Sequence, residues 1–317
     1  MALPRSSTLQ RHANNSLAAA SYNPHKLALL HTGATLVLLL LLEGSNELLS
    51  NGIEGTGGLS GLGMRSVLTT IQTLVERLVQ IALPFLQAGF LCAAIRIAHR
   101  EAVGPEDLLG GFRNFHRVLR YNLLETGIYL LIAFACFALI NQIFILLPMS
   151  NDFFVLLDTI TTSSEVTQPM MDALAASYLP ALILFCVAYP IIALFFFYQY
   201  RMGLYLLLSR GNIGAMAALR GSRMRMRGHR LAMLQLDLSF WWYYLLDAVC
   251  TAILLLELIL DLLGIALPLD SALISLGTLA VYCLCQLGLY TWMRPKVEVT
   301  YIHGFDAIIG SAAYPGD

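Results

Sequence analysis

Residues 178–200 read YLPALILFCVAYPIIALFFFYQY, 23 residues without one charged side chain, and Arg201 follows at once. Coiled as an α-helix, such a run extends about 35 Å, enough to cross the ~30 Å hydrocarbon layer of a bilayer. It has no polar stripe to turn toward water, so it does not read as the surface helix of a soluble domain. Comparable apolar runs fall at 27–43, 78–98, 122–147, 231–252 and 272–293. The composition agrees: 58% of the chain is apolar and 12% charged, against about a quarter charged in soluble domains. These runs predict an all-α integral membrane protein, a six-span helical bundle. They divide the chain into an N-terminal tail (1–26), a membrane domain (27–293) and a C-terminal tail (294–317).

The basic residues order the topology. Seventeen of the 19 Lys and Arg residues lie in the two tails and in the second-to-third and fourth-to-fifth connections. Those four segments share one membrane face. Lys and Arg excess marks the cytoplasmic side, which places both ends in the cytoplasm of a plasma-membrane protein. Only Arg65 and Arg77 fall on the other face, and the 149–177 loop carries Asp152, Asp158, Glu165 and Asp172 with no Lys or Arg. Two stretches exceed one span. Residues 66–77 are expected to extend the second helix outward, and 253–262, with Glu257 and Asp261, to continue the fifth until Gly264 and Pro268 end it.

Each long cytoplasmic connection is expected to form an amphipathic helix. The first opens at Gly104-Pro105-Glu106-Asp107, where proline suits the first turn and the acids favour its positive end. Leu108, Phe112, Phe115 and Leu119 recur at helical spacing, with Arg113 and Arg117 on other faces. The second follows Asn212, read as its N-cap, and carries Arg220, Arg223, Arg225, Arg227 and Arg230. These seven arginines are the candidate contacts to anionic lipid headgroups on the cytoplasmic side; the other reading is that they set topology and pack beneath the bundle. Because orientation already accounts for them, nucleic acid is not an expected partner.

No catalytic constellation is expected, since the chain lacks the phosphate-binding loop, zinc-protease and nucleophile-elbow patterns. Its seven histidines show no paired ligand spacing, and its six cysteines all lie in apolar runs, so neither a metal nor a cofactor is called for. His31, inside the first span, reads as a helix-contact histidine. The informative residues are the carboxylates inside spans, Glu125, Asp237 and Asp247, because a charge there costs at least ~2.5 kcal/mol on insertion scales. Arg201, closing the fourth span, is the expected partner of Asp237. Two readings stand for this set: an inner-leaflet ion pair that fixes helix packing, or a site for a solute, a proton or a lipid headgroup. They correspond to a scaffold or accessory subunit on one side and a binding or transport-type component on the other.

The C-terminal third carries a family pattern. Residues 218–246 read ALRGSRMRMRGHRLAMLQLDLSFWWYYLL and 294–305 read RPKVEVTYIHGF. This resembles a bacterial family of integral membrane proteins, domain of unknown function 975. Ser222, Met226 and Gly228 fit its S-x-x-x-M-x-G stretch, Leu236–Phe240 its L-D-L-S-F segment, and Pro295, Thr300 and Tyr301 its terminal box. Lys296 replaces a usual tyrosine there, and Trp241-Trp242-Tyr243 stands where the family has I-G-W. The resemblance implies a multi-pass membrane fold and supplies no reaction or substrate. A more distant similarity to the membrane domains of glycerophosphodiester phosphodiesterases points toward lipids.

Overall fold

The computed structural model describes residues 4–54, 61–146, 150–162, 167–255 and 271–312. Glu165, Glu257, Asp261, Gly264 and Pro268 lie outside these residues. Within them the chain is helical: α1 (Ser6–Ala18), α2 (Pro24–Glu54), α3 (Gly61–Ala98), a 3-10 turn (Pro105–Leu109), α4 (Gly110–Arg113), α5 (Phe115–Leu146), α6 (Ser150–Thr162), α7 (Gln168–Tyr200), α8 (Gly203–Ser209), α9 (Ala215–Met226), α10 (Arg230–Leu238), α11 (Trp241–Leu254) and α12 (Ser271–Ala312). Among the described residues, four segments are long and apolar enough to cross a membrane: Pro24–Leu42, Val67–Ala98, Phe115–Leu146 and Gln168–Ser209. The expected outward extension at 66–77 is part of α3, whose 38 residues extend about 57 Å.

The apolar run at 231–252 is not one helix. It divides between α10 and α11 at Ser239-Phe240, where the Ser239 hydroxyl donates to the Leu236 carbonyl at 2.6 Å and Phe240 N–H to Asp237 O at 2.9 Å. A serine hydroxyl that satisfies a nearby carbonyl offers the chain an alternative to continuing the helix. Both tails contain helix among the described residues. The first holds α1, and α12 runs past Pro295 to Ala312.

The chain forms two compact units, one of Met1–Arg120 with Met202–Asp317, the other of Tyr121–Arg201. In the first, α12 packs against α1, α2, α3 and α11, and its late residues Val297, Val299, Thr300, Ile302, Phe305 and Ile308 are buried. The connection after α3 lies on that helix backbone to backbone. A Cβ on Gly89 would stand 1.8 Å from Leu108 O, and one on Gly111 1.9 Å from Phe85 O, so only glycine fits either place. Stacked rings secure the approach, with Phe85 and Phe115 centroids 4.8 Å apart. The buried Asp107 carboxylate accepts from Arg96 and from Gly104 N–H.

This connection is therefore a 3-10 turn and one short helical turn closed at Asn114, not the single amphipathic helix expected from Gly104. In the second connection α9 is capped by Gly214 rather than Asn212, with no side-chain cap bond. It buries Ala215, Ala218, Leu219 and Ser222 and exposes Arg220, Arg223, Met216 and Met224.

The second unit is the hairpin of α5 and α7 with α6. Cys136, Ile140, Phe144 and Ala181 form its core, packed by Phe153, Tyr178 and Phe185. A groove of about 590 Å³ lined by Ile140, Ile143, Phe144, Leu179, Pro180 and Val187 runs along it. Its lining is almost wholly hydrocarbon.

Candidate functional site: a polar stripe on the last helix

Within the first unit, α12 carries Gln286, Tyr290 and Arg294 at four-residue steps and Tyr301 seven further on, which places them along one helix face. From Gln286 to Tyr301 the stripe covers about 22 Å. Its Gln286 end is organised by Asp247 of α11. The Asp247 carboxylate accepts from Gln286 Nε2 at 2.8 Å and from the Tyr290 hydroxyl at 2.9 Å. Tyr243, one turn earlier on α11, is buried with its ring centroid 6.1 Å from that of Tyr290.

At the other end Asp237 of α10 accepts from the Tyr301 hydroxyl, and the Tyr244 hydroxyl lies 2.7 Å from that of Tyr301 and 3.3 Å from the carboxylate. The aromatic run that follows the L-D-L-S-F segment is thus split by its helix: Tyr243 turns inward, Tyr244 reaches Asp237, and Trp241 is 60% exposed.

Between the two carboxylates lies Arg294. Its guanidinium sits over the rings of Phe90 (5.1 Å) and Tyr290 (5.4 Å), and Nη1 lies 3.3 Å from His31 Nδ1. A guanidinium only donates, so Nδ1 accepts and the imidazole keeps its proton on Nε2. That nitrogen is buried without a hydrogen bond among the described residues. His31 is 1% exposed, and the helix-contact role expected of it holds: it touches α3 through Phe90 (centroids 4.9 Å apart) and α12 through Arg294. Thr32 Oγ1, Gln286 Oε1 and Thr291 Oγ1 are likewise buried without a hydrogen bond among the described residues. Leaving such atoms unpaired costs on the order of 1–3 kcal/mol each, which packing alone has no reason to retain.

The other candidates fall as follows. Arg201 belongs to the second unit, where its guanidinium lies over Phe197 (5.1 Å) and Tyr198 (5.7 Å). In the same unit half-buried Glu125 lies beside Tyr121 and Tyr129. Arg117 donates from one nitrogen toward the carbonyls of Leu207, Arg210 and Ile213, at 2.5, 2.9 and 3.1 Å, and so ties α5 to the end of α8. Arg113, Arg220, Arg223 and Arg227 are exposed, while Arg225 and Arg230 are half-buried.

A second cluster joins residues the sequence keeps far apart. His303 of α12 lies 3.1 Å from the Ser16 hydroxyl of α1, its ring centroid is 6.1 Å from that of His12, and Asp306 accepts from Tyr205 and pairs with His99 at 3.2 Å. No group of three or more His, Cys, Asp or Glu side chains among the described residues has the geometry to hold a metal ion. Spacing in the sequence gives no signal of this cluster. The α12 stripe, by contrast, is legible as Gln286, Tyr290 and Arg294 at helical period.

These features define a class: a protein that is helical over the described residues, with apolar helices of membrane length and a polar stripe where α12 meets α2, α3, α10 and α11. A family model described as protein of unknown function (DUF975) matches residues 26–302, and the chain belongs to that family. No curated protein and no solved structure matched the chain, so the similarity to glycerophosphodiester phosphodiesterase membrane domains gains no support.

Proposed function

We propose that this chain is a six-span plasma-membrane protein of bacterial type, with both ends cytoplasmic, that acts as a membrane-embedded binding or transport-type component for a small solute or lipid. The observation that carries this reading is the α12 stripe. Polar and ionisable groups inside an apolar bundle are costly and mark pathways or binding sites by default, and this stripe includes buried polar atoms with no hydrogen bond among the described residues. The exposed Arg220, Arg223 and Arg227, flanked by exposed Met216 and Met224, support contact with anionic headgroups, which supply ~1 kcal/mol per basic residue near the surface. The role is non-catalytic in this reading.

A scaffold or accessory subunit is the second reading, and one observation favours it: Asp237 and Asp247 each accept hydrogen bonds from neighbouring helices, as packing residues do. Native mass spectrometry of the detergent-extracted protein separates the two. A copurifying small molecule that is lost on Asp247→Asn, in a protein that stays folded, supports binding or transport. An empty protein whose Asp247→Asn variant loses only stability supports the scaffold. For topology, single cysteines in a background lacking native ones are expected to react with an impermeant thiol reagent from outside at residues 55 and 165, and not at 110, 220 or 310. Outside labelling at 220 would overturn the orientation.

A further inference from the structure

The guanidinium of Arg294 is held by an imidazole and two ring faces, with no acid paired to it among the described residues. Ion pairs among the described residues join Arg96 to Glu101 and Asp107, and His99 to Asp306; none includes Arg294. Of its five N–H donors, the bond to His31 is the one that meets a side chain among the described residues. The positive charge is thus positioned by α2, α3 and α12 together, while its remaining donors meet no side chain among the described residues. Aromatic faces and an acceptor nitrogen fix its orientation without cancelling its charge. Thr291, one turn earlier on the same side of α12, has a buried hydroxyl with no hydrogen bond among the described residues, and so does Thr32, the neighbour of His31.

We infer that Arg294 is the anchor of an oxyanion site, taking a phosphate or carboxylate group through the paired N–H edge that His31 does not use, with the Thr291 hydroxyl as an added donor. A planar guanidinium fork matches two oxygens of such a group. The charge of the anchor disfavours a cation or metal; Asp247 and Glu298 lie near the same tyrosine, Tyr243, but neither makes an ion pair with Arg294 among the described residues. The inference rests on the proposed binding reading and gives the α12 stripe its ligand class. The oxyanion has two sources, the phosphate of an anionic phospholipid in the leaflet facing the chain ends, or a free small anion.

The test uses the full chain, delipidated in detergent. Phosphatidylglycerol and phosphatidylcholine are added separately and retention is read by native mass spectrometry; inorganic phosphate is titrated in parallel with Trp292, adjacent to Thr291, as the fluorescent reporter. Either phosphatidylglycerol is retained over phosphatidylcholine, or phosphate binds, and Arg294→Gln weakens that binding about tenfold or more. Arg294→Lys recovers part of it, because the charge returns without the fork. Thr291→Val, which keeps the charge and the shape, also weakens it and serves if Arg294→Gln fails to fold. Preference for the lipid that phosphate does not displace identifies a headgroup; displacement identifies a free anion. Folded Arg294→Gln and Thr291→Val proteins that bind both probes as the unaltered chain does would overturn the inference, as would an unaltered chain that binds neither. If copurification yields no molecule that is lost on Asp247→Asn while the Arg294-dependent lipid remains, the solute reading of the stripe fails and this site stands.

Discussion

His25 Nδ1 lies 3.0 Å from the carbonyl oxygen of Thr291, and that carbonyl is the one Pro295 deprives of its helical N–H four residues on. Proline inside a helix costs ~3 kcal/mol or more because one hydrogen bond is lost and a carbonyl is displaced. Here α12 continues to Ala312 because a side chain at the start of α2 donates in place of the missing amide. The apolar run stops at 293, which predicts a tail over 294–317. The helix runs on through Ala312 within that segment, and carries Thr300, Tyr301, His303 and Asp306 into both polar clusters.

A double-mutant cycle tests this relationship. His25→Phe is expected to lower stability by about 1 kcal/mol, the worth of one hydrogen bond. In a Pro295→Ala background the Thr291 carbonyl regains its own amide, and His25→Phe is expected to cost a few tenths at most. Thermal unfolding in detergent measures both arms. Equal losses in the two backgrounds would mean that the contact does not support the helix.

Glycines divide into two classes with opposite expected signs. Gly89→Ala and Gly111→Ala each drive a methyl into a backbone carbonyl oxygen, at 1.8 and 1.9 Å, and a backbone wedged between two helices has no cheap way to retreat. Each is expected to cost about 3 kcal/mol, at the upper end of overpacking. Gly127→Ala and Gly288→Ala, inside α5 and α12 with nothing within 4 Å of the new methyl, are expected to raise stability by up to about 1 kcal/mol, because glycine is a poor helix former. Melting temperatures of the four variants check the contrast; destabilisation at Gly127 equal to that at Gly89 would refute the close approach.

The helices α2, α3, α5 and α7 are legible in the sequence because a long apolar run admits one solution, a helix that satisfies its own backbone. The carboxylates Asp237 and Asp247 are legible for the same reason, as charges where charges are costly. Their partners are not. The hydrogen bonds to Asp237 include those of Tyr244 seven residues on and Tyr301 sixty-four residues on, and only the rotation of α12 against α10 and α11 brings Tyr301 there. Arg294 counts toward orientation alone in the sequence, since its role depends on Phe90 and His31 of two other helices. His12, His99 and His303 meet for a reason no spacing records: α1 and the far part of α12 pack together.

The Asp237 network predicts a coupling. Tyr301→Phe removes the donor nearest the carboxylate and is expected to cost about 1–3 kcal/mol, as does replacing a buried hydrogen-bonded acid. Asp237→Leu in the Tyr301→Phe background is expected to cost at least about 1 kcal/mol less than in the unaltered chain, since the two share one interaction. Strictly additive costs in thermal unfolding would show that the tyrosine does not hold the acid.

The histidine cluster predicts how stability follows pH. Burial moves His303 below the ordinary histidine value; Asp306 pulls it the other way, while His12, His99 and Arg100 oppose a further positive charge. The folded state therefore prefers the neutral ring more than the unfolded state does. Where the folded value is the lower one, the unfolded chain binds more protons as acid is added. The contribution of His303 is thus fully present above the unfolded value of about 6.5, and it is lost as pH falls through the folded value. Melting temperature is expected to hold from pH 8 to 7 and to drop between pH 6.5 and 5. His303→Gln keeps a side chain able to bond the Ser16 hydroxyl but cannot titrate, so its curve is expected to fall less over that interval. Because α1 is fixed partly through the Ser16–His303 contact at 3.1 Å, protonation should loosen α1 first. Faster amide exchange in residues 6–18 below pH 6, suppressed in the His303→Gln variant, is the corresponding local readout. An unchanged pH profile in that variant would assign the acid sensitivity to other groups.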